Sequence, residues 1–387
     1  MTARPGAAGE RLLGVLLVGG GRTHQENYAP EFQKDPRCRV VGLTDEDGLS
    51  LDRERWNREL AETLGVPLLA GLERALDRDD VDIASVCSEP ERRGRLGALC
   101  ARAGKHVYMD KPLAASLEDA AQLARAVREA GVRSQMFSLV RAGWARRTRD
   151  LVESGAVGAL AGLHCDLLFA KGPAGTAPAG RRTEAYPPKR FTFVDSKREL
   201  FTTGVYSIGL LRWITGREVR RVRAVTQNYF FGEHVRNDVE DFGAAVLELD
   251  GGLTGTITAG RIGWSAHPQG GPMRIQLVGT RGSIMVDAYR PRIEVSSDRS
   301  PWTPPERSPE DPMGFWSSTT LAAGTRAKRS WVVPPSAAEP TRDDVRHFVD
   351  CVIEERASDV SVADGKAILE VLFACYRSAA TGEVVEV

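Results

Sequence analysis

Val15-Leu16-Leu17-Val18-Gly19-Gly20-Gly21-Arg22-Thr23-His24 is the stretch that decides the fold. The apolar run Leu12–Val18 enters three glycines directly, and a helix-like segment follows. A short apolar run closed by glycine reads as a strand buried on both faces. Runs of the same kind recur at Val40–Leu43, Ile83–Cys87, His106–Met109 and Ser134–Leu139, separated by helix-like stretches at Leu51–Leu64, Glu91–Ala103 and Leu117–Ala130. Such alternation predicts a doubly wound parallel sheet, an α/β domain over residues 9–138. Arg11 and the apolar run after it look superficially like a secretion signal, but the glycines follow at once without a small-x-small cleavage site.

In that context the glycines read as a dinucleotide-binding turn. Gly19 makes the tight turn, Gly21 lets the backbone approach a pyrophosphate, and the unpaired amides of the following helix stabilise its charge. His24 replaces the third glycine of the G-x-G-x-x-G fingerprint. The second strand ends in Asp45, followed by Glu46, and an acid there accepts hydrogen bonds from the adenosine ribose hydroxyls. Two carboxylates would repel a 2′-phosphate, so NAD is expected over NADP. The expected cofactor-binding residues of this Rossmann-type domain are Gly19, Gly21, Arg22, Thr23, His24, Asp45, Ser88, Lys111 and Pro112.

The pattern changes after residue 140. A helix-like stretch at Trp144–Glu153 ends at Ser154-Gly155. Strand-like runs follow at Leu160–Ala170, Val219–Phe231, Phe242–Leu249, Leu253–Ala259, Arg274–Val278, Ser283–Val286 and Arg292–Ser296, several joined by tight glycine turns. This predicts a second, α+β domain over 139–387 with a large, mostly antiparallel sheet. Residues 298–340, rich in Pro, Ser and Arg, read as an irregular excursion. Helices are expected at about Arg342–Glu355 and Val362–Ala380.

Composition narrows the function classes. Lysine plus arginine equals aspartate plus glutamate at 52 each, which leaves no basic excess for nucleic acid or an anionic membrane. No apolar run approaches the ~20 residues that span a bilayer. The six cysteines are far apart, and no His or Cys spacing suits a metal. They read as reduced core thiols in a cytoplasmic protein. No G-x-S-x-G elbow points to a hydrolase.

Several segments, in order along nearly the whole chain, resemble the Gfo/Idh/MocA oxidoreductases. Ala103-Gly-Lys-His-Val107-Tyr-Met-Asp110-Lys111-Pro112-Leu-Ala114 is similar to the family's aGKHVxxEKPla segment, with Asp110 for the usual glutamate. Val278-Gly-Thr-Arg-Gly-Ser-Ile284 resembles its GtxGsi hairpin, and Asp364 through Gly382 its closing helix. The resemblance implies an NAD(P)-binding domain, a second domain whose sheet serves oligomerisation (a homodimer or homotetramer), a cis peptide before Pro112, and a sugar, cyclitol or related polyol as substrate. Lys111 is the expected oxyanion stabiliser, just past a strand where Rossmann ligands bind. In the family's D-x-G-x-H segment Tyr206 takes the histidine position and Thr202 the aspartate position. Tyr206 is the expected acid/base: a phenol has an ordinary pKa of about 10, and a nearby ammonium lowers it. Thr202 cannot ionise and can only position a hydroxyl. Arg141, His164, Asp195 and His267 are further candidate substrate residues, with His164 on the same strand face as Asp166.

The expected function is an NAD(H)-dependent dehydrogenase or ketoreductase working on a secondary alcohol or ketone. Two alternatives stay open: an NAD-dependent glycosidase or lyase that uses transient oxidation, and a non-catalytic NAD-binding regulator.

Overall fold

A computed structural model describes residues 11–170, 198–262, 273–288, 292–297, 315–318, 328–333 and 340–387. The chain forms two compact units: Met1–Ser138 with Glu339–Ala367, and Leu139–Ala338 with Ile368–Val387.

The first unit is built on five parallel strands, β1 (Leu13–Val18), β2 (Cys38–Thr44), β3 (Ile83–Val86), β4 (His106–Met109) and β5 (Ser134–Met136), in the order β2-β1-β3-β4-β5. Its helices are α1 (Gln25–Lys34), α2 (Leu51–Leu64), α3 (Leu72–Leu76), α4 (Pro90–Arg102) and α5 (Leu117–Ala130). Local chemistry sets their ends. Ser50 and Ser116 cap α2 and α5 by accepting from Arg53 N and Asp119 N, and Gly65 and Gly131 close the same helices in left-handed conformation. Val15 to Val18 are fully buried, as a strand covered on both faces requires. The strand order reverses between β1 and β3, and in open α/β sheets ligands bind in the crevice beyond that point.

In the second unit, ten described strands form one mostly antiparallel sheet. They are β6 (Leu160–Ala170), β7 (Val219–Gln227), β8 (Phe242–Leu249), β9 (Leu253–Ile262), β10 (Met273–Gly279), β11 (Gly282–Asp287), β12 (Arg292–Ser297), β13 (Phe315–Ser318), β14 (Lys328–Val333) and β15 (Val385–Glu386). Their order is β13-β14-β12-β11-β10-β6-β9-β8-β7-β15, and only β6 and β9 pair in parallel. Helix α6 (Gly143–Glu153) precedes the sheet, and α7 (Glu199–Thr215) packs on one face against β6, β8 and β9. Leu163, Cys165, Leu167, Ile257 and Ala259 are buried on that side, while Val225, Val246, Val278 and Met285 are exposed on the other.

Three expectations need correction. Part of the segment expected to be irregular, 298–340, is β13 and β14, where Trp331-Val332-Val333 carries the aromatic and β-branched bias of a strand. The strand expected to reach Phe231 stops at Gln227, because the buried carboxylate of Asp241 accepts from the backbone N–H groups of Tyr229, Phe230 and Phe231 at 2.7 to 3.1 Å. The short helix α8 (Gly232–Arg236) follows. Residues 339–367, placed with the second domain by sequence, group with the first unit. They contain α9 (Pro340–Ile353) and the start of α10 (Val362–Thr381). The hydroxyl of Tyr108 on β4 donates to Asp344 Oδ2 of α9 at 2.7 Å, and Gln135 Nε2 donates to the same oxygen at 2.7 Å. Tyr108, Phe32 and Phe348 are all fully buried.

No helix among the described residues is long and apolar enough to cross a membrane. All six cysteines are free and buried, and burial pushes the Cys100 thiol up to about 12.

Removing one hydroxyl tests how α9 is held. Tyr108→Phe deprives a buried carboxylate of a donor and is expected to cost about 1–3 kcal/mol in urea unfolding. Unchanged stability would show that this hydrogen bond does not tie α9 to the sheet.

Candidate active site

Each parallel strand delivers a loop to the same edge. Gly19 N donates to Thr44 O, Cys87 N to Val18 O and Asp110 N to Val86 O, so the turns after β1, β2, β3 and β4 are laced together. The first turn is strained in a way glycine relieves. Gly19 and Gly20 have φ of +65° and +113°, and a Cβ on Gly20 would lie 2.5 Å from Gln25 Cβ. Gly21 has a packing reason to be glycine, since its Cβ would lie 2.4 Å from the carbonyl oxygen of Trp56 on α2. His24, in place of the third glycine, adopts φ +79° at the N-cap of α1, and no described side chain caps that helix. Buried Gln25 ties its first turn to β3 through both Ser85 O and Ser85 Oγ.

Asp45, at the end of β2, is buried and held on two sides: Asn57 Nδ2 donates to Oδ2 at 2.8 Å and Arg92 Nη1 to Oδ1 at 2.8 Å. Arg92 also pairs with Glu46 at 2.9 Å and Glu89 at 2.7 Å. Burial pushes the Glu46 and Glu89 carboxyls up, but arginines override it and hold both below the usual range: Arg92 and Arg95 at Glu46, Arg92 and Arg53 at Glu89. Arg53 reaches Gly21 O as well, while Arg22 and Arg53 both lie against the Trp56 ring.

Asp110 is the hub of the edge. It is 1% exposed and accepts from Arg93 Nη2 at 2.8 Å, Tyr28 OH at 2.8 Å and His24 Nδ1 at 3.1 Å. Arg93, itself buried, also donates to Ser88 O and to Pro112 O. One guanidinium therefore clamps the loop after β3 to the loop after β4, where the Lys111–Pro112 peptide is cis and Lys111 is 9% exposed. Burial pushes the Asp110 carboxyl up, but Arg93, His24 and Lys111 outweigh burial and hold it well below the usual range.

In the second unit, α7 carries the two residues picked out by the sequence. Of Leu200 through Leu211 only Thr202 and Tyr206 escape burial, one helical turn apart. His164 is not brought to them. Its Nδ1 pairs with Thr256 Oγ1 and its Nε2 with Asp166 Oδ1 at 2.8 Å, on the face of the sheet opposite α7. Arg141 is half-buried at the start of this unit. Asp195 and His267 lie outside the described residues. Among the described residues no group of three His, Cys, Asp or Glu side chains converges as a metal site.

The first-unit edge suits a dinucleotide. Beside the uncapped turn of α1, the buried hydroxyls Thr23 Oγ1 and Ser88 Oγ have no hydrogen-bond partner among the described residues, which leaves two donors open to a polar ligand. Residues 13–138 match the family model for the oxidoreductase family with an NAD-binding Rossmann fold, and residues 145–285 that for the GFO/IDH/MocA C-terminal domain. The chain belongs to the Gfo/Idh/MocA oxidoreductase family. Among family relatives, a myo-inositol 2-dehydrogenase of Thermotoga maritima is 27% identical over 74% of this chain and 78% of its own. A dTDP-3,4-didehydro-2,6-dideoxy-α-D-glucose 3-reductase of Streptomyces violaceoruber is 29% identical over 60% of this chain and 63% of its own. The crystal structure of GenD2 from gentamicin A biosynthesis, in complex with NAD, superposes with a TM-score of 0.70 at 25% identity, covering 100% of this chain and 99% of that one.

Sequence reasoning in this Gfo/Idh/MocA chain passed over Arg92, Arg93, Glu89 and Tyr28. A signal was present: Arg92, Arg93 and Arg95 crowd the start of α4, where the helix dipole disfavours cations, so buried acids had to be close by. Arg93→Met leaves Asp110 as a buried charge without its main partner, and a loss of about 3–5 kcal/mol at neutral pH is expected. Because the folded-state pKa of Asp110 is depressed, its contribution is present above the unfolded value of about 4 and is lost as pH falls below it. The gap between wild type and variant should therefore narrow in acid, and a gap that stays constant with pH would remove the Arg93–Asp110 account.

Proposed function

We propose that this oxidoreductase is an NAD(H)-dependent dehydrogenase or ketoreductase acting on a secondary alcohol or ketone of a sugar, cyclitol or related polyol. The observation that carries the reading is the retention of Lys111 on the ligand-binding edge, together with Thr202 and Tyr206 as the two residues between Leu200 and Leu211 that escape burial. The names of the relatives, which act on inositol and on a nucleotide-linked deoxysugar, support the substrate class.

Each residue has a task matched to its chemistry. The first-turn amides of α1, with Thr23 and Ser88, bind the pyrophosphate and the adjoining sugar. Asp45 accepts from the adenosine ribose. When bound, the nicotinamide accepts or supplies the hydride. The Lys111 ammonium stabilises the negative charge that grows on the substrate oxygen. Tyr206 takes the proton from that oxygen during oxidation and returns it during reduction. Thr202 orients a neighbouring hydroxyl. NAD is the preferred cofactor: Asp45 and Glu46 disfavour a 2′-phosphate, and the arginines beside them, Arg92 and Arg95, are already paired with these carboxylates.

We further assign self-association to the outer face of the second-unit sheet, where Val225, Val246, Val278 and Met285 are exposed. Six free, buried thiols suit the cytoplasm.

The test is NADH formation at 340 nm with a panel of inositols and sugars. Lys111→Met should lower kcat by about 100-fold or more. NAD should bind at least about tenfold tighter than NADP, a difference of about 1.4 kcal/mol, and Asp45→Ser should narrow that ratio. A wild-type protein that takes up neither cofactor, or a Lys111→Met variant that turns over normally, ends this reading.

A further inference from the structure

Directly behind Thr202 lies a buried carboxylate that nothing in the preceding mechanism uses. Glu199 opens α7 and is 2% exposed. Residues 199, 202 and 206 share one face of the helix, at spacings of three and four. Thr202 Oγ1 donates to Glu199 Oε2 at 3.3 Å. The other carboxylate oxygen, Oε1, makes no hydrogen bond among the described residues but faces two cations or potential cations: Arg261 Nη2 on β9 at 3.2 Å and His234 Nε2 on α8 at 3.5 Å.

A helix-capping duty does not account for Glu199. The amide of Leu200 in the first turn of α7 is taken by a different carboxylate, Glu240 Oε1, at 3.2 Å, and Glu240 is itself held by Arg198 and Tyr376. Nor is the cluster a saturated structural network. His234 is 1% exposed, and neither ring nitrogen makes a hydrogen bond among the described residues. A buried imidazole set 3.5 Å from a buried carboxylate without a hydrogen bond is costly unless the arrangement serves something else.

We propose that Glu199 is a positioning residue for substrate and that it acts through Thr202. The hydroxyl of a threonine has a single proton. With that proton directed at the Glu199 carboxyl oxygen, Oγ1 meets a further group as an acceptor, and a hydroxyl that is already donating accepts more strongly. Thr202 thereby selects a substrate with a free hydroxyl next to the carbon that Tyr206 serves, and rejects an ether, a carbonyl or a deoxy centre there. A carboxylate set back by one turn thus influences the position where the family places an aspartate. The inference rests on the dehydrogenase reading given above.

The experiment compares wild type, Glu199→Gln, Thr202→Val and the double variant on the best polyol of the panel and on its deoxy and O-methyl analogues at the neighbouring position. Each single variant should lower kcat/KM for the polyol at least tenfold and leave it nearly unchanged for the analogues. NAD affinity should stay within twofold throughout, and the double variant should be no worse than the weaker single. Introducing Thr202→Asp into Glu199→Gln should restore most of the loss. Losses that multiply in the double variant, or that fall equally on polyol and analogues, overturn the proposal in favour of a purely structural Glu199. A second arm needs no turnover: in infrared difference spectra the Glu199 carboxylate band, identified by its absence in Glu199→Gln, should shift in Thr202→Val. An unmoved band refutes the Glu199–Thr202 coupling. Absence of wild-type turnover with every polyol instead counts against the dehydrogenase reading, and the infrared arm still decides the pair.

Discussion

The buried pair of Arg93 and Asp110 is the constraint on which the ligand-binding edge depends. A parallel sheet brings its loops to one side but leaves them free to move as separate chains. Here a single guanidinium spans two of them, and the carboxylate it meets also collects Tyr28 and His24 from α1. Desolvating two charges is expensive, and the arrangement is tolerable because nearly every polar atom of the pair finds a partner. What results is a fixed position for the peptide that presents Lys111.

The two units solve the problem of presenting polar chemistry differently. In the first, charges are sunk into the edge of the sheet and compensated by neighbours on separate loops. In the second, α7 is buried almost all round, so few of its side chains reach the surface, and Thr202 and Tyr206 are among them. An accessible residue on a helix locked against β6, β8 and β9 has little freedom to drift, which suits the acid/base role proposed for Tyr206.

The parallel sheet of the first unit was easily read from the amino-acid sequence because its strands are apolar throughout and its glycines sit where a strand must turn into a helix. Leu51–Leu64 and Leu117–Ala130 even have the observed bounds, since Ser50 and Ser116 before them and Gly65 and Gly131 after them are strong local punctuation. The strands within 298–340 were hidden because prolines and arginines around them dominate any composition window. Asp241, which turns the chain at Tyr229, and Glu199 were not foreseen for a related reason. Their partners are remote in sequence or depend on burial, and neither property has a periodicity. Arg93 differs, since its misfit with the helix dipole was visible in the sequence.

The discontinuity of the first unit also bears on how the protein is made. Tyr108 emerges early in synthesis, but Asp344, which receives its buried hydroxyl, is more than two hundred residues away. A nascent chain carrying a complete parallel sheet still lacks the helix that covers one of its flanks, and it must wait for most of the second unit to leave the ribosome. During that interval Tyr108, Phe32 and their neighbours face the solvent or a chaperone. The late return of α9 means that the first unit is completed by residues far down the chain from its own strands.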